Sequence, residues 1–470
     1  MKILLTGATG YIGKRLLPVL VKDGHEVVCS VRDRNRFNPP EYLKEKIEVI
    51  EVDFLKKDTL ASIPKTIDVA YYLMHSMSAS EDYQELESLS ATNFKEAINE
   101  TNTKQVIYLS GIVNEQSLSK HLLSRKSVEE VLGKGTYNLT TLRAGIIIGS
   151  GSASFEIIRD LVEKLPVMIT PKWLNTKCQP IGIQDVISHL TKVMLFEGAY
   201  NQSFDIGGPD ILSYKEMLLG FAKVRGLKRT IIIVPVMTPK LSSYWLYFVT
   251  SISFKLASAL VSSMKVEVIC RDTLLTDKLG IKTLSYQEAL ERTFRTIEQN
   301  HITSSWKDSF ISGELTTNLS EFLTVPLFGC FTDRRTSKIA DRQATLTKIW
   351  KIGGETGWYY ANTLWKIRGF IDKLFGGVGL RRGRTDPNQL SMGDAIDFWR
   401  VLYANQEEGR LLLFAEMKLP GEAWLEFNLS TNELIQTATF RPKGLLGRMY
   451  WYAVLPFHGL IFKNMLRKLS

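Results

Sequence analysis

The stretch Lys2–Gly13, KILLTGATGYIG, constrains this chain more than any other. Ile3-Leu4-Leu5 has the length and apolar content of a buried strand. Ile12, Leu16, Leu17, Leu20 and Val21 then recur at helical spacing up to Lys22, and Gly24 follows as a stop signal. A strand, a glycine loop and a helix in immediate succession form an anion-binding arrangement. Gly7 permits the tight turn, Gly10 lets the backbone approach a pyrophosphate, and Gly13 lets helix and strand lie close. Free N–H groups at the helix start then face the anion. The spacing is G-x-x-G-x-x-G, which is weak evidence alone and strong in this context; the alternative is a bare turn.

The chain has 470 residues, too many for one ordinary core, so two or more domains are expected. Hydrophobic residues at 44% and charged residues at 23% describe a folded protein. A net charge of +10 favours anionic partners such as cofactors, nucleic acid or acidic lipid. The basic residues are dispersed and no nucleic-acid motif occurs, so no nucleic-acid partner is expected. Cys29, Cys178, Cys270 and Cys330 are widely separated, and the six histidines lack ligand spacing, so neither a disulfide framework nor a metal site is expected. A strand beginning at Lys2 leaves no room for a signal peptide, and a cytoplasmic location is the expectation.

Further strands are expected at His25–Val31, Ile47–Val52, Ile67–Met74, Val106–Leu109 and within Leu139–Ile148. Their ends carry Arg32, Asp53-Phe54, Leu73 to His75 and Ser110. Such ends form the carboxyl edge of a doubly wound sheet, where ligands bind. Arg32 stands where a 2′-phosphate would be recognised, which favours NADP(H), with NAD(H) possible and Asp33 arguing for caution. The bland alternatives are a solvated arginine at 32 and a turn aspartate at 53.

TGATGYIG resembles the fingerprint of the extended and atypical, NmrA-like, short-chain dehydrogenase/reductases. The resemblance implies an NAD(P)-binding Rossmann domain. It implies cofactor contacts by Gly7, Thr9, Gly10, Tyr11, Ile12, Gly13, Arg32, Asp53, Phe54, Leu73 and His75, with Asp53 on the adenine amine. LRAGIIIG from Leu142, QPIGIQDV from Gln179 and FDIGGP…LSYKEM from Phe204 resemble later motifs of the family in order. The family's catalytic serine has a counterpart in Ser110, but the next helix lacks its Tyr-x-x-x-Lys pair. His121 and Arg125 stand four residues apart there, on one helix face. They are candidates for a proton donor and a phosphate or ribose contact, or are merely helix-surface or cofactor-contacting residues. The serines and Phe155 of Gly149–Trp173 are candidate pocket lining, or belong to a capped helix from Ser154.

Tyr244–Val261 reads as a cleft-lining helix pair, a surface membrane contact or, least well, a membrane span. Asp277–Gln299 resembles the terminal helix of the extended family. His301–Asn318 marks a boundary, giving an NAD(P)-binding domain over 1–300, a linker over 301–319 and a second domain over 320–470. In the second domain four alternating runs, Ala395–Tyr403, Arg410–Met417, Glu422–Leu429 and Glu433–Arg441, suggest an antiparallel sheet with each run turning one face to a core. An aromatic helix, Leu445–Lys468, interrupted at Pro456, follows.

GWYYANTLWKIRGFIDKLFGGVGLRRGR and TFRPKGLLGRMYWY resemble a DUF2867-type domain found behind such dehydrogenases, which implies an α+β helix-grip (SRPBCC-like) fold and a cavity for an apolar ligand. Gly376–Arg384 is either an anion site or an exposed hairpin. Trp424, Tyr450, Trp451 and Tyr452 line a cavity or pack a core.

Three functions fit these features. The first is an NADP(H)-dependent oxidoreductase acting on a bulky apolar carbonyl or enone. The second is a catalytically silent, cofactor-bound sensor, assembly factor or scaffold. The third is an apolar-ligand carrier with peripheral membrane contact. Oligomeric state is open.

Overall fold

Short apolar runs separated by amphipathic helices build a seven-stranded parallel sheet in the N-terminal part of the computed structural model. The structure describes residues 1–470 apart from 35–36, 38, 40, 75–82, 113–119, 235–260, 262–263, 265, 299–324, 326–329, 376, 378, 380–388, 391–392 and 443. The chain divides into two compact units, the described residues up to Glu298 and those from Val325 onward.

In the first unit the strands are β1 (Lys2–Thr6), β2 (Glu26–Val31), β3 (Ile47–Glu51), β4 (Val69–Tyr72), β5 (Gln105–Gly111), β6 (Asn138–Ala144) and β7 (Gln202–Ile206). Their order is β7-β6-β5-β4-β1-β2-β3, with every pairing parallel. This is the doubly wound arrangement, with its switch point between β1 and β4. Alternation explains why both faces are covered. Ile3, Leu5, Val27, Cys29 and Tyr71 join Leu16, Leu17 and Leu20 of α1 (Gly13–Lys22) in one core. Leu4, Val28, Ala70 and Val106 join Ala91, Phe94 and Ile98 of α2 (Tyr83–Asn99) in the other. Helix α3 (Lys120–Leu132) follows β5.

The later segments form a smaller layer at the carboxyl edge. Short pairings join Ile147–Ile148 to Ile181–Gly182 and Val167–Pro171 to Thr230–Val234. Helices α4 (Ala153–Lys164), α5 (Ile183–Lys192), α6 (Tyr214–Val224) and α7 (Tyr286–Glu298) complete it. Phe155, Phe221 and Phe294 bind α4, α6 and α7 together at ring separations of 5.1–5.7 Å. Phe155 is therefore core and not pocket lining, and the cap of α4 is Ser152, whose hydroxyl accepts from the Phe155 amide, rather than Ser154. Helix α6 opens with a capping box between Ser213 and Glu216.

In the second unit an antiparallel sheet carries β8 (Phe331–Lys338), β9 (Ala395–Ile396), β10 (Trp399–Asn405), β11 (Arg410–Ala415), β12 (Gly421–Leu429) and β13 (Glu433–Pro442) in the order β8-β13-β12-β11-β10-β9. Helices α8 (Arg342–Trp350), α9 (Asn362–Leu374) and α10 (Gly444–Leu469) accompany it. The long α10 packs on β13 and β8, as a helix-grip fold requires.

Three expectations change here. The run Ala395–Tyr403 is broken by Asp397, at φ 52°, into two strands. Pro456 lies inside one continuous helix. The central strands are buried on both faces, since Leu411 and Leu413 face the main core while Leu412, Phe414 and Trp424 form a second cluster. Trp451 is buried and stacked on Phe331 and Phe440, whereas Tyr452 is exposed. All of Tyr244–Val261 but Val261 itself, the linker and most of Gly376–Arg384 lie outside the described residues.

Candidate functional site

The glycine loop sits at the switch point and is shaped by close contacts. Thr6 ends β1, and its hydroxyl donates to the Tyr71 carbonyl at 2.8 Å and accepts from the Leu73 amide at 3.1 Å. This latch between β1 and β4 was not anticipated from the sequence; a buried polar residue at the close of an apolar strand was its only signal. Gly7 adopts φ +67°, and a Cβ there would lie 2.7 Å from the Leu73 carbonyl oxygen. The Gly10 amide closes the turn on the Gly7 carbonyl at 2.8 Å. A Cβ on Gly13 would collide with that same carbonyl, so Gly13 fits the helix to the loop itself. At Gly10 a Cβ would meet only the Gly7 oxygen, at 3.1 Å, which leaves this position open to a ligand. No side chain caps the start of α1 at Ile12. A turn of this shape before an uncapped helix start fits a pyrophosphate.

Thr9 is exposed on the loop, and Ile12 packs against the sheet core. The Tyr11 side chain turns away towards the later segments. Its ring lies 4.0 Å below the Arg15 guanidinium. Arg15 also donates to the Tyr11 carbonyl at 3.2 Å and the Ser150 carbonyl at 2.6 Å. Any Cβ on Gly149 would strike the Tyr11 hydroxyl. Burial pushes the Tyr11 phenol up to about 12, so it is held neutral. Tyr11 and Arg15 thereby tie the nucleotide loop to the turn before α4.

Arg32 is exposed directly after β2. The Asp53 carboxylate accepts from the Leu55 amide at 3.1 Å, the geometry of a turn aspartate. Phe54 is buried against Phe94, with ring centroids 5.5 Å apart, so it can present only backbone to a ligand. Leu73 is half-buried with its carbonyl facing Gly7, and His75 lies outside the described residues.

Ser110 lies inside β5, opposite Arg143 of β6, rather than beyond the strand. Its Oγ is buried and has no hydrogen-bond partner of normal geometry among the described residues. The Tyr108 phenol beside it donates to the Arg125 carbonyl at 3.5 Å. Burial pushes the Tyr108 phenol up, against the opposing effect of the Arg125 cation. The Arg125 Nε is likewise buried and unpartnered among the described residues. His121 lies one turn earlier on α3, with its side chain outside the described residues. Buried polar atoms without partners are uncommon and mark places where a ligand completes the set. Arg143 is unlike them: it pairs with Glu129 through two bonds, 2.7 and 3.2 Å.

Several other polar groups of this layer are structural. The buried His189 ring contacts the Asp185 carbonyl at 2.7 Å and Thr276 at 2.9 Å. Gln179 bridges the Gly208 carbonyl and the Cys270 amide. A cavity of about 400 Å³ lies between α1, α5 and α7, lined by Arg15, Val19, Ile183, Ile187, Leu284 and Arg292 among others. Among the described residues no group of His, Cys, Asp and Glu could hold a metal ion, and no helix is long and apolar enough to cross a membrane.

Comparisons with known proteins accord with this geometry. Residues 7–146 match the NAD(P)H-binding family model, and residues 330–465 match the protein family of unknown function DUF2867. The chain is 23% identical over 227 residues to the chloroplastic divinyl chlorophyllide a 8-vinyl-reductase of Arabidopsis thaliana, a match covering 44% of this chain and 54% of that protein. It is 24% identical over 231 residues to the photosystem II assembly factor Ycf39 of Trieres chinensis, covering 47% of this chain and 70% of that protein. The chain thus spans about half the length of the vinyl-reductases it matches. In fold it is similar to a Citrobacter triphenylmethane reductase (TM-score 0.51, 17% identity, 63% of this chain and 100% of that one). A Staphylococcus aureus nucleoside-diphosphate-sugar epimerase is similar to the same degree (TM-score 0.51, 14% identity, 62% of this chain and 100% of that one). The chain thus joins an NAD(P)H-binding domain over residues 7–146 to a DUF2867 domain over residues 330–465.

Proposed function

We propose that the first unit is an NADP(H)-dependent reductase for a bulky apolar carbonyl or conjugated alkene. The observation that supports this reading is the pair of buried atoms, Ser110 Oγ on β5 and Arg125 Nε on α3, that have no hydrogen-bond partner of normal geometry among the described residues. In this reading the glycine loop holds the pyrophosphate and the exposed Arg32 takes the 2′-phosphate. Asp53 and Phe54 border the adenine side, and Leu73 borders the loop. The nicotinamide, when bound, supplies the hydride. Ser110 orients the substrate oxygen, His121 donates the proton and Arg125 holds the charge that develops. Similarity to a vinyl-reductase supports a reductive reaction.

A second reading is a cofactor-bound assembly factor without turnover. It is favoured by the missing Tyr-x-x-x-Lys pair and by the similarity to a photosystem II assembly factor. Purification without added nucleotide, mass spectrometry of the bound molecules and NADPH oxidation with a panel of apolar enones separate the two. The reductase reading expects turnover that His121→Ala removes. Bound nucleotide with no oxidation of any substrate, or a rate unchanged in the His121 variant, overturns the assignment.

A further inference from the structure

The second unit presents two apolar helix faces to solvent. On α9, Ile367, Phe370, Ile371 and Leu374 are 41–58% exposed and recur at the spacing of one helix face. Phe375, just past the helix end, is 73% exposed. The inner face of the same helix is a different surface, with Trp365 and Gly369 buried.

Helix α10 repeats the pattern over a longer span. Trp451, Phe462, Met465, Leu466 and Leu469 point into the core. Leu446, Met449, Tyr452, Phe457 and Leu460 are 52–73% exposed on the other side. The two helices meet through Trp365 and Phe462, ring centroids 6.3 Å apart, so the two stripes belong to one helix pair. A helix apolar all round is ordinarily buried, and a cluster of this kind on an exposed surface marks an interaction site.

Charge decides what covers it. Helix α10 contains no acidic residue, and its exposed charges are Arg448, Lys463, Arg467 and Lys468. On α9 the single acidic residue, Asp372, is buried and accepts from the Gly379 and Lys418 amides at 2.8 and 2.7 Å. The exposed charge of α9 is Lys366. Every exposed charge on the pair is therefore positive. A typical protein interface carries charges of both signs at its rim, whereas every exposed charge on these two helices is positive. Aliphatic and aromatic side chains on helices whose own exposed charges are all lysine and arginine are the pattern of a helix lying in the interface of an anionic bilayer. We propose that α9 and α10 form a peripheral docking surface for an anionic lipid membrane, into which the apolar stripes insert while the basic residues meet the headgroups.

The test is co-sedimentation of the full chain with vesicles of phosphatidylcholine containing phosphatidylglycerol, or of phosphatidylcholine alone. Binding is expected with the anionic vesicles, weak binding with the neutral ones, and release as salt is raised. Phe370→Glu with Leu374→Glu should lower partitioning at least about tenfold, with the thermal unfolding transition of the second unit as the control for folding. The charge variant Lys463→Gln, Arg467→Gln, Lys468→Gln should lower it about a hundredfold, at roughly fivefold per basic residue near an anionic surface. It alters no apolar side chain, so it remains informative if the first variant fails to fold. No binding to anionic vesicles at low salt, or equal binding by both variants and the parent, overturns the proposal. So does a vesicle-inert dimer that Phe370→Glu converts to a monomer, which would assign the face to a second copy of the chain.

Discussion

The two units each bury a sheet on both faces but place their charges differently. In the parallel sheet, tight turns and close backbone contacts at the strand ends shape the site: Gly7 at positive φ beneath Leu73, Gly13 against the Gly7 carbonyl, and the Thr6 latch. Ser110 Oγ and Arg125 Nε then stay buried without partners among the described residues. In the antiparallel sheet, charge is drawn into the structure itself. Arg400 and Glu416 have fully buried side chains and meet at 2.9 Å. Trp358 donates its indole N–H to Asp397 at 2.7 Å, which holds the residue that breaks the β9–β10 run. In the first unit Ser110 and Arg125 leave polar atoms near the Arg143–Glu129 pair, which stays partly exposed, whereas the second unit holds its Arg400–Glu416 pair wholly in the interior. On the reading proposed above, chemistry belongs to the first unit, and the second supplies architecture with an apolar exterior.

The sharpest way to break this contrast is Glu416→Ala. It strands the Arg400 cation in the interior and should cost about 3–5 kcal/mol. Thermal unfolding should show loss of the second unit while NADPH titration of the first is unchanged; a stable variant would deny the ion pair a structural role.

Gly10→Val comes next. Its Cβ meets only one loop oxygen, so the first unit should fold with near-parental melting, yet nucleotide affinity should drop at least about a hundredfold as the side chain fills the pyrophosphate approach. Gly13→Val should lose both fold and binding. Equal behaviour of the two variants would remove the distinction drawn between them.

His458 gives a smaller, pH-dependent effect. Burial pulls its imidazole down to about 4 from its ordinary 6.5. The unfolded chain then binds the proton that the folded chain refuses, so stability is fully present above about pH 6.5. It falls as pH drops towards 4, by about 2–3 kcal/mol. Comparing the parent with His458→Phe by unfolding at pH 7 and pH 5 isolates this contribution, and parallel losses in both would assign it elsewhere.

Arg32→Ala is the mildest. Loss of a charge-assisted contact should weaken NADPH about tenfold and leave NADH nearly unaffected. Equal losses would take the 2′-phosphate away from Arg32.

Much of the first unit was legible because its signals are local. An apolar run, three glycines at fixed offsets and a helical period specify β1, the turn and α1 without knowledge of anything distant. The antiparallel runs of the second unit were legible for the same reason. Strand β8 was not, because FTDRRTSK is polar and becomes a strand only by pairing along β13. Phe155 looked like a pocket residue until Phe221 and Phe294, distant in sequence, closed around it. The site itself divides in the same manner. Gly7, Gly10 and Gly13 could be placed from spacing, whereas Thr6 is a latch only because β4 lies beside β1.

By itself, then, the sequence determined the nucleotide loop, the alternation of strand and helix, and the character of each domain, since these depend on residues within a few positions of one another. Tertiary structure alone decided which polar atoms lack partners, where Tyr11 and Arg15 tie the loop to the α4 turn, that Arg400 and Glu416 meet in the interior, and which faces of α9 and α10 remain in water. Burial and pairing are relations between residues far apart in the chain, and only folding brings them within reach of each other.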